Sequence, residues 1–183
     1  VLGAAALWLG AADAPVAGPP VFDRALEDAR GVVRLPAGER YFSPALAEGP
    51  LPALTFEVTA TLDGPTDAAY GLWLQPCAGP ERVVVAVDGE GYVAAFAPPA
   101  DEPWRWFLHA LRAPDFNRLR VDVRAGALSV RVNDELALGG ERIELAPPVG
   151  SVCALGLYAA SGADEGATFR FARVRLWHGA RTE

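Results

Sequence analysis

The 183-residue chain contains no lysine and no methionine, and all 16 of its basic residues are arginine. The missing lysine is read as genome composition rather than function. The missing methionine implies that residue 1 is not the natural start and that the chain continues upstream. Only two cysteines and two histidines are present. They lie so far apart that no zinc-ligand spacing exists. The formal net charge is −7. An acidic balance argues against a nucleic-acid partner, because phosphate binding needs clustered basic side chains. No internal repeat is visible. No apolar run reaches the ~20 residues needed to span a bilayer.

The longest uncharged apolar stretch, Val1 to Ala12, reads as the end of a signal-peptide hydrophobic region or the outer half of a truncated membrane anchor. Gly10 and Ala12 suit signal peptidase, which would start the mature chain at Asp13. No cysteine lies there, so no lipoprotein anchor is visible. A hydrophobic helix packed on the domain is the other reading. Pro15, Gly18, Pro19 and Pro20 form a linker that cannot be helical. The expected organisation is a segment 1–20 (leader or anchor remnant plus linker), one domain over 21–178, and a tail at 179–183.

What the chain does have is period two. In Phe116–Leu138, Leu119, Val121 and Val123 alternate with Arg118, Arg120, Asp122 and Arg124. After Ala125-Gly126, Leu128, Val130 and Val132 alternate with Ser129, Arg131 and Asn133. A two-residue loop pairs Val123 with Leu128, Val121 with Val130 and Leu119 with Val132, so one face is wholly apolar and the register is pinned. Leu54 to Leu62 alternates as cleanly against threonines and Glu57. Further strands are expected at 32–35, 40–42, 70–75, 82–87, 92–97, 104–109, 142–145, 152–159 and 168–177, with a β-bulge near Ala172. Residues 21–30 read as a helical turn or irregular lead-in, and 44–52 as a loop. A dozen short strands between Gly, Pro and Asp turns mean an all-β, antiparallel two-sheet β-sandwich of jelly-roll type.

The order of the pieces carries a resemblance. YGLWL precedes RVVVAVDGEGYVAAF, a Trp-containing strand, NRLRVDVRAGALSVRVND, a Gly150–Tyr158 strand and a terminal FRFARVRLW. This resembles the concanavalin-A-like lectin/glucanase superfamily, in particular laminin-G-like jelly-roll modules of bacterial exported or membrane-anchored proteins. The likeness covers about Phe22 to Trp177. Its motifs are structural: Asn117, Leu119 and Val121 open the hairpin, Asn133 turns it, and Gly156-Leu157 marks the following strand. The relatives it implies include glycoside hydrolases, lectins and sugar-binding modules, so fold alone does not give activity.

The Glu-x-Asp-x-x-Glu strand of this superfamily's glycosidases is absent. The acidic pairs Glu27-Asp28, Asp101-Glu102, Asp134-Glu135 and Asp164-Glu165 are adjacent residues, which on a strand point to opposite faces. Tyr70-Gly71-Leu72 lacks the polar pair of the Asn-Ser-Gly strand found in relatives that act on oxidised disaccharides. No serine has a nucleophile-elbow context, and His109 and His178 read as structural. No catalytic residue is therefore expected. Asp63 with Asp67, or Asp88 with Glu90, offers oxygen ligands for calcium, although turn-forming aspartates explain them as well. The binding candidates are Trp73 with Gln75, Trp104 and Trp106 with Arg105 between them, and the facing arginines Arg120 and Arg131. Like charges directly opposite need neutralising acids, with Glu141 or Glu144 expected, or an anionic glycan. Cys77 and Cys153 either form a disulfide or leave Cys153 a buried thiol. The expected function is a non-catalytic extracytoplasmic binding or sensing module with a carbohydrate partner. A divergent glycosidase or lyase and a protein-interaction or stalk domain are the alternatives.

Overall fold

The computed structural model describes residues 19–26, 31–79, 81–96, 104–107, 115–124, 126–137, 143–149 and 151–179. The apolar run Val1–Ala12 and His109 lie outside them. Among the described residues no helix is long and apolar enough to cross a membrane.

Fifteen strands make two antiparallel sheets: β1 Phe22–Ala25, β2 Val32–Leu35, β3 Arg40–Phe42, β4 Ala47–Leu51, β5 Ala53–Asp63, β6 Ala69–Pro76, β7 Val83–Asp88, β8 Tyr92–Phe96, β9 Trp104–Phe107, β10 Asn117–Arg124, β11 Gly126–Val132, β12 Glu135–Leu136, β13 Ile143–Val149, β14 Val152–Ala160 and β15 Ala167–His178. An eight-stranded sheet runs β1-β15-β5-β10-β11-β12, with β2 also on β15 and β13 also on β11. A seven-stranded sheet runs β3-β14-β6-β7-β8-β9, with β4 also on β14. The inner faces meet in one core, where Leu54, Phe56, Val121, Val130, Phe169 and Val174 face Tyr70, Leu72, Val85, Val93 and Leu155.

The hairpin has the register its parity demands: Leu119 pairs with Val132, Val121 with Val130 and Val123 with Leu128. Asn133 and Asp134 close the next turn with φ of 51° and 72°, the left-handed pair that a two-residue hairpin turn requires. Asn133 also closes the far end of the hairpin. Its Oδ1 accepts from the Arg118 amide at 3.0 Å and its Nδ2 donates to Asn117 Oδ1 at 2.8 Å. The pairing of β15 with β5 shifts by one residue between Phe171 and Arg173, so Ala172 is the bulge. The shift keeps Phe171, Val174 and Leu176 all in the core.

Two segments differ from the sequence reading. Phe22–Ala25 is an edge strand on β15 rather than a helical turn. Its signal was hidden because only Phe22 of its four residues is even partly buried. Ala47–Leu51 is a strand rather than a loop. It carries Gly49 at φ 114° and pairs with β14 across a register shift, and an irregular edge strand with Gly and Pro leaves little alternation to read.

Cys77 and Cys153 form a disulfide across a sequence separation of 76. Cys153 has the same parity as Leu155, but the β14 register shifts between Val152 and Ala154. That shift releases Cys153 from the core face.

Candidate functional site

The outer face of the seven-stranded sheet is built from small residues in register. One row across it reads Tyr158, Gly71, Ala86, Ala94, and the next reads Ala160, Ala69, Asp88. Alanine and glycine at these positions, with Tyr158 of β14 packed down among them at 2% exposure, leave a shallow floor beside one taller side chain, the half-buried Tyr92 on β8. The resulting basin holds about 380 Å³, and Glu39, Arg40, Asp67 and Ser161 complete its rim.

The rim is fixed from below. Ser161 Oγ accepts from the Glu39 amide at 2.9 Å and donates to the Pro36 carbonyl at 2.5 Å. Asp67 Oδ2 accepts from the Ala163 amide at 3.0 Å. Asp88 Oδ1 accepts from the amides of Tyr92 at 2.8 Å and Glu90 at 3.1 Å. Burial raises the Tyr158 phenol above the ordinary tyrosine range, and the Arg40 guanidinium beside it pulls it partly back. An apolar floor, one aromatic wall and a rim of held carboxylates with one guanidinium suit a ligand with an apolar face and many hydroxyls.

Next to the basin on the same face lies Trp73. It is not an open platform. Trp73 is 3% exposed, because the Arg82 guanidinium stacks over its ring at 4.5 Å and reaches Phe42 at 5.2 Å. The indole lies across Gly156, where an added Cβ would come within 2.5 Å of Trp73 Nε1 and 2.6 Å of Ser43 Oγ. Close packing over β14 therefore explains the glycine of the Gly156-Leu157 motif. Gln75 is occupied as well, its amide donating to the Gly79 carbonyl at 2.6 Å. Both residues shape the loop that carries Arg82 rather than facing solvent.

The backbone of β9 pairs Trp104 with Ala95, Arg105 with Ala94 and Trp106 with Val93. Arg105 thus sits at the register position of a floor residue, and the two tryptophans sit opposite core positions. The side chains of these three residues lie outside those described.

Arg120 and Arg131 face each other as expected, but on the outer face of the eight-stranded sheet. The sandwich separates them from Trp73, so the candidates do not form one site. Their neutralisation also differs from expectation. Glu144 pairs with Ala127. The acid opposite Arg120 is Glu57, because β5 flanks β10 on its other side. Arg120 Nε donates to Asp122 Oδ2 at 3.0 Å, and Arg118 pairs with Asp134.

The aspartates considered for calcium act as turn and loop ties: Asp67 and Asp88 through the amides above, and Glu90 through Thr66 Oγ1 at 3.4 Å. Asp63 ends β5 and lines a smaller cleft of about 270 Å³ with Tyr70 and Asn117. Among the described residues no three His, Cys, Asp or Glu side chains group to hold a metal ion.

Tyr70 closes the inner end of that cleft, 1% exposed, with a hydroxyl that makes no hydrogen bond. Burial pushes its phenol far above the ordinary tyrosine range. The folded state therefore holds this proton more tightly than the unfolded chain. Its contribution is intact below the unfolded pKa of ~10 and is lost as pH rises above it, at up to ~1.4 kcal/mol per pH unit. Urea unfolding at pH 8 and pH 11 checks this. Tyr70→Phe is expected to leave stability at pH 8 unchanged or higher, since it removes an unpaired buried hydroxyl, and to flatten the alkaline loss. Equal alkaline losses in both proteins would show that another group dominates.

No family model matches the sequence, and no curated protein matches it. Solved structures do match. A legume lectin-like domain from Entamoeba histolytica superposes with a TM-score of 0.59 at 10% identity, covering 87% of this chain and 90% of that one. The carbohydrate-binding module CBM66 from Bacillus subtilis gives 0.56 at 15% identity, covering 87% and 99%. A putative β-glucanase from Mycobacterium abscessus gives 0.52 at 14% identity, covering 80% and 74%. The chain folds as a concanavalin-A-like jelly roll. At these identities the likeness shows the fold alone.

The jelly roll's basin contains residues that sequence reasoning missed as a group. Arg40 lies far along the chain from Tyr158 and Ser161, which sit together at the end of β14. Asp67 and Asp88 enter the sequence reading only as calcium ligands. The signal that was present is the run of small residues, Ala69, Gly71, Ala86, Ala94 and Ala160, at alternate positions on the polar side of four strands.

Proposed function

We propose that this chain is a non-catalytic, extracytoplasmic carbohydrate-binding module whose site is the basin between Tyr92 and Tyr158. The observation that carries the reading is the alanine and glycine floor beside Tyr92, rimmed by Arg40, Asp67 and Asp88. An apolar sugar face lies on such a floor, and its hydroxyls reach planar polar groups that are already held in place. Asp67 and Asp88 spend oxygens on backbone amides, which favours binding over acid–base work. Similarity to a lectin-like domain and a carbohydrate-binding module supports the same class. The disulfide supports an oxidising compartment. The apolar segment before the domain fits export or anchoring in the manner of bacterial laminin-G-like modules.

A thermal-shift screen against neutral oligosaccharides, with and without calcium, tests this. A sugar at 100 times its Kd stabilises by about 2.7 kcal/mol. Tyr92→Ala is expected to weaken binding about tenfold, or ~1.4 kcal/mol. New reducing ends after incubation would indicate a glycosidase instead. No shift with any glycan would favour a protein-interaction or stalk domain.

A further inference from the structure

The eight-stranded sheet presents a face of opposite character. Of the 16 arginines in this acidic chain, eight take outward positions on this one sheet: Arg34 on β2; Arg170, Arg173 and Arg175 on β15; Arg118, Arg120 and Arg124 on β10; and Arg131 on β11. One row crosses the sheet as Asp23, Arg175, Glu57, Arg120, Arg131.

Glu57 is the centre of this face. Its side chain is 9% exposed, with Arg175 Nη1 at 3.2 Å and Arg118 Nε at 3.8 Å. Burial raises its carboxyl above the usual range, opposed by Arg118, Arg175 and Arg120. Asp23 pairs with Arg173 and Arg175, Asp122 with Arg120 and Asp134 with Arg118, so with Glu57 four carboxylates stand against the eight guanidiniums, and this carboxylate is the one that several of them share. It holds their heads in place, which lowers the ordering cost of a further anion. Arg34 and Arg170 extend the face as exposed residues.

We propose that this face binds a linear acidic polysaccharide, through sulfate or carboxylate groups, independently of the basin. Charge complementarity selects the ligand. Strand geometry spaces outward residues ~6–7 Å along a strand and ~4.8 Å between strands, which suits about one charge per sugar ring. Duplex DNA carries one charge per ~1.7 Å, a spacing several times closer than that of the outward residues.

The test is retention of the whole chain on immobilised dextran sulfate and polygalacturonate, at low and at 0.3 M salt, with duplex DNA as a third column. The expected result is retention on at least one polysaccharide at low salt and release at high salt. Which column retains the chain distinguishes sulfate from carboxylate. Arg131→Glu with Arg170→Glu is expected to weaken binding at least tenfold. Tyr92→Ala is expected to leave it unchanged. Thermal melts confirm that each variant is folded. Passage through both polysaccharide columns, equal retention on DNA, or binding unaffected by the arginine double variant would each overturn the proposal.

Discussion

Replacing Cys77 and Cys153 together with serine is expected to lower the unfolding free energy by about 4 kcal/mol, from the chain-entropy cost of releasing so long a loop. The bond spans 76 residues, so its removal frees most of the chain between β6 and β14 in the unfolded state. It also ties together the adjacent ends of two paired strands. The Cys77 amide donates to the Ser151 carbonyl at 2.8 Å, and the register shift of β14 falls at Cys153. Urea titration of the double variant against the parent is the check. A loss below ~1 kcal/mol would show that the unfolded state is already restrained there. A secondary effect follows at the outer face. The same loop carries Arg82 over Trp73, so the variant should shift tryptophan emission to the red while still folded.

Phe56→Ala is expected to cost about 3–5 kcal/mol, the range for a large aromatic lost from a core. Phe56 is fully buried on β5, opposite Val121 of β10 and Leu176 of β15. These three strands are the middle of the eight-stranded sheet, and Phe56 faces the second sheet across the core. Backbone pairing on both sides prevents collapse into the space left. By contrast Phe22→Ala, at the partly buried edge of the same sheet, is expected to cost no more than ~1–2 kcal/mol. Comparable losses at the two positions, measured by urea unfolding, would contradict the layered core described here.

The fold was legible wherever one face was dry and the other wet. The β10–β11 hairpin, β5 and the β15 bulge followed from parity alone, because a one-residue slip would expose every apolar side chain. The segments misread, Phe22–Ala25 and Ala47–Leu51, are edge strands with little buried surface and hence little alternation. The site was less legible because it depends on what covers what. Trp73 has the parity of an outward residue, and nothing local to it says that Arg82 and Gly156 let it lie flat and closed. The facing arginines were read correctly as a pair, but the acids beside Arg120 are Asp122 on its own strand and Glu57 on β5, on the side of β10 that sequence order does not reveal. The basin joins residues of β3, β6, β7, β8 and β14, so only the topology brings them together.

The central claim is that sugar binds on the seven-stranded sheet between Tyr92 and Tyr158. Backbone amide chemical-shift mapping during titration with a neutral oligosaccharide from the thermal-shift screen tests it most directly. The account predicts that the largest shifts fall on Ala69, Ala86, Tyr92, Ala94, Tyr158 and Ala160, with the β10–β11 hairpin unmoved. Shifts centred on Arg120 and Arg131, or on the cleft at Tyr70, would contradict it.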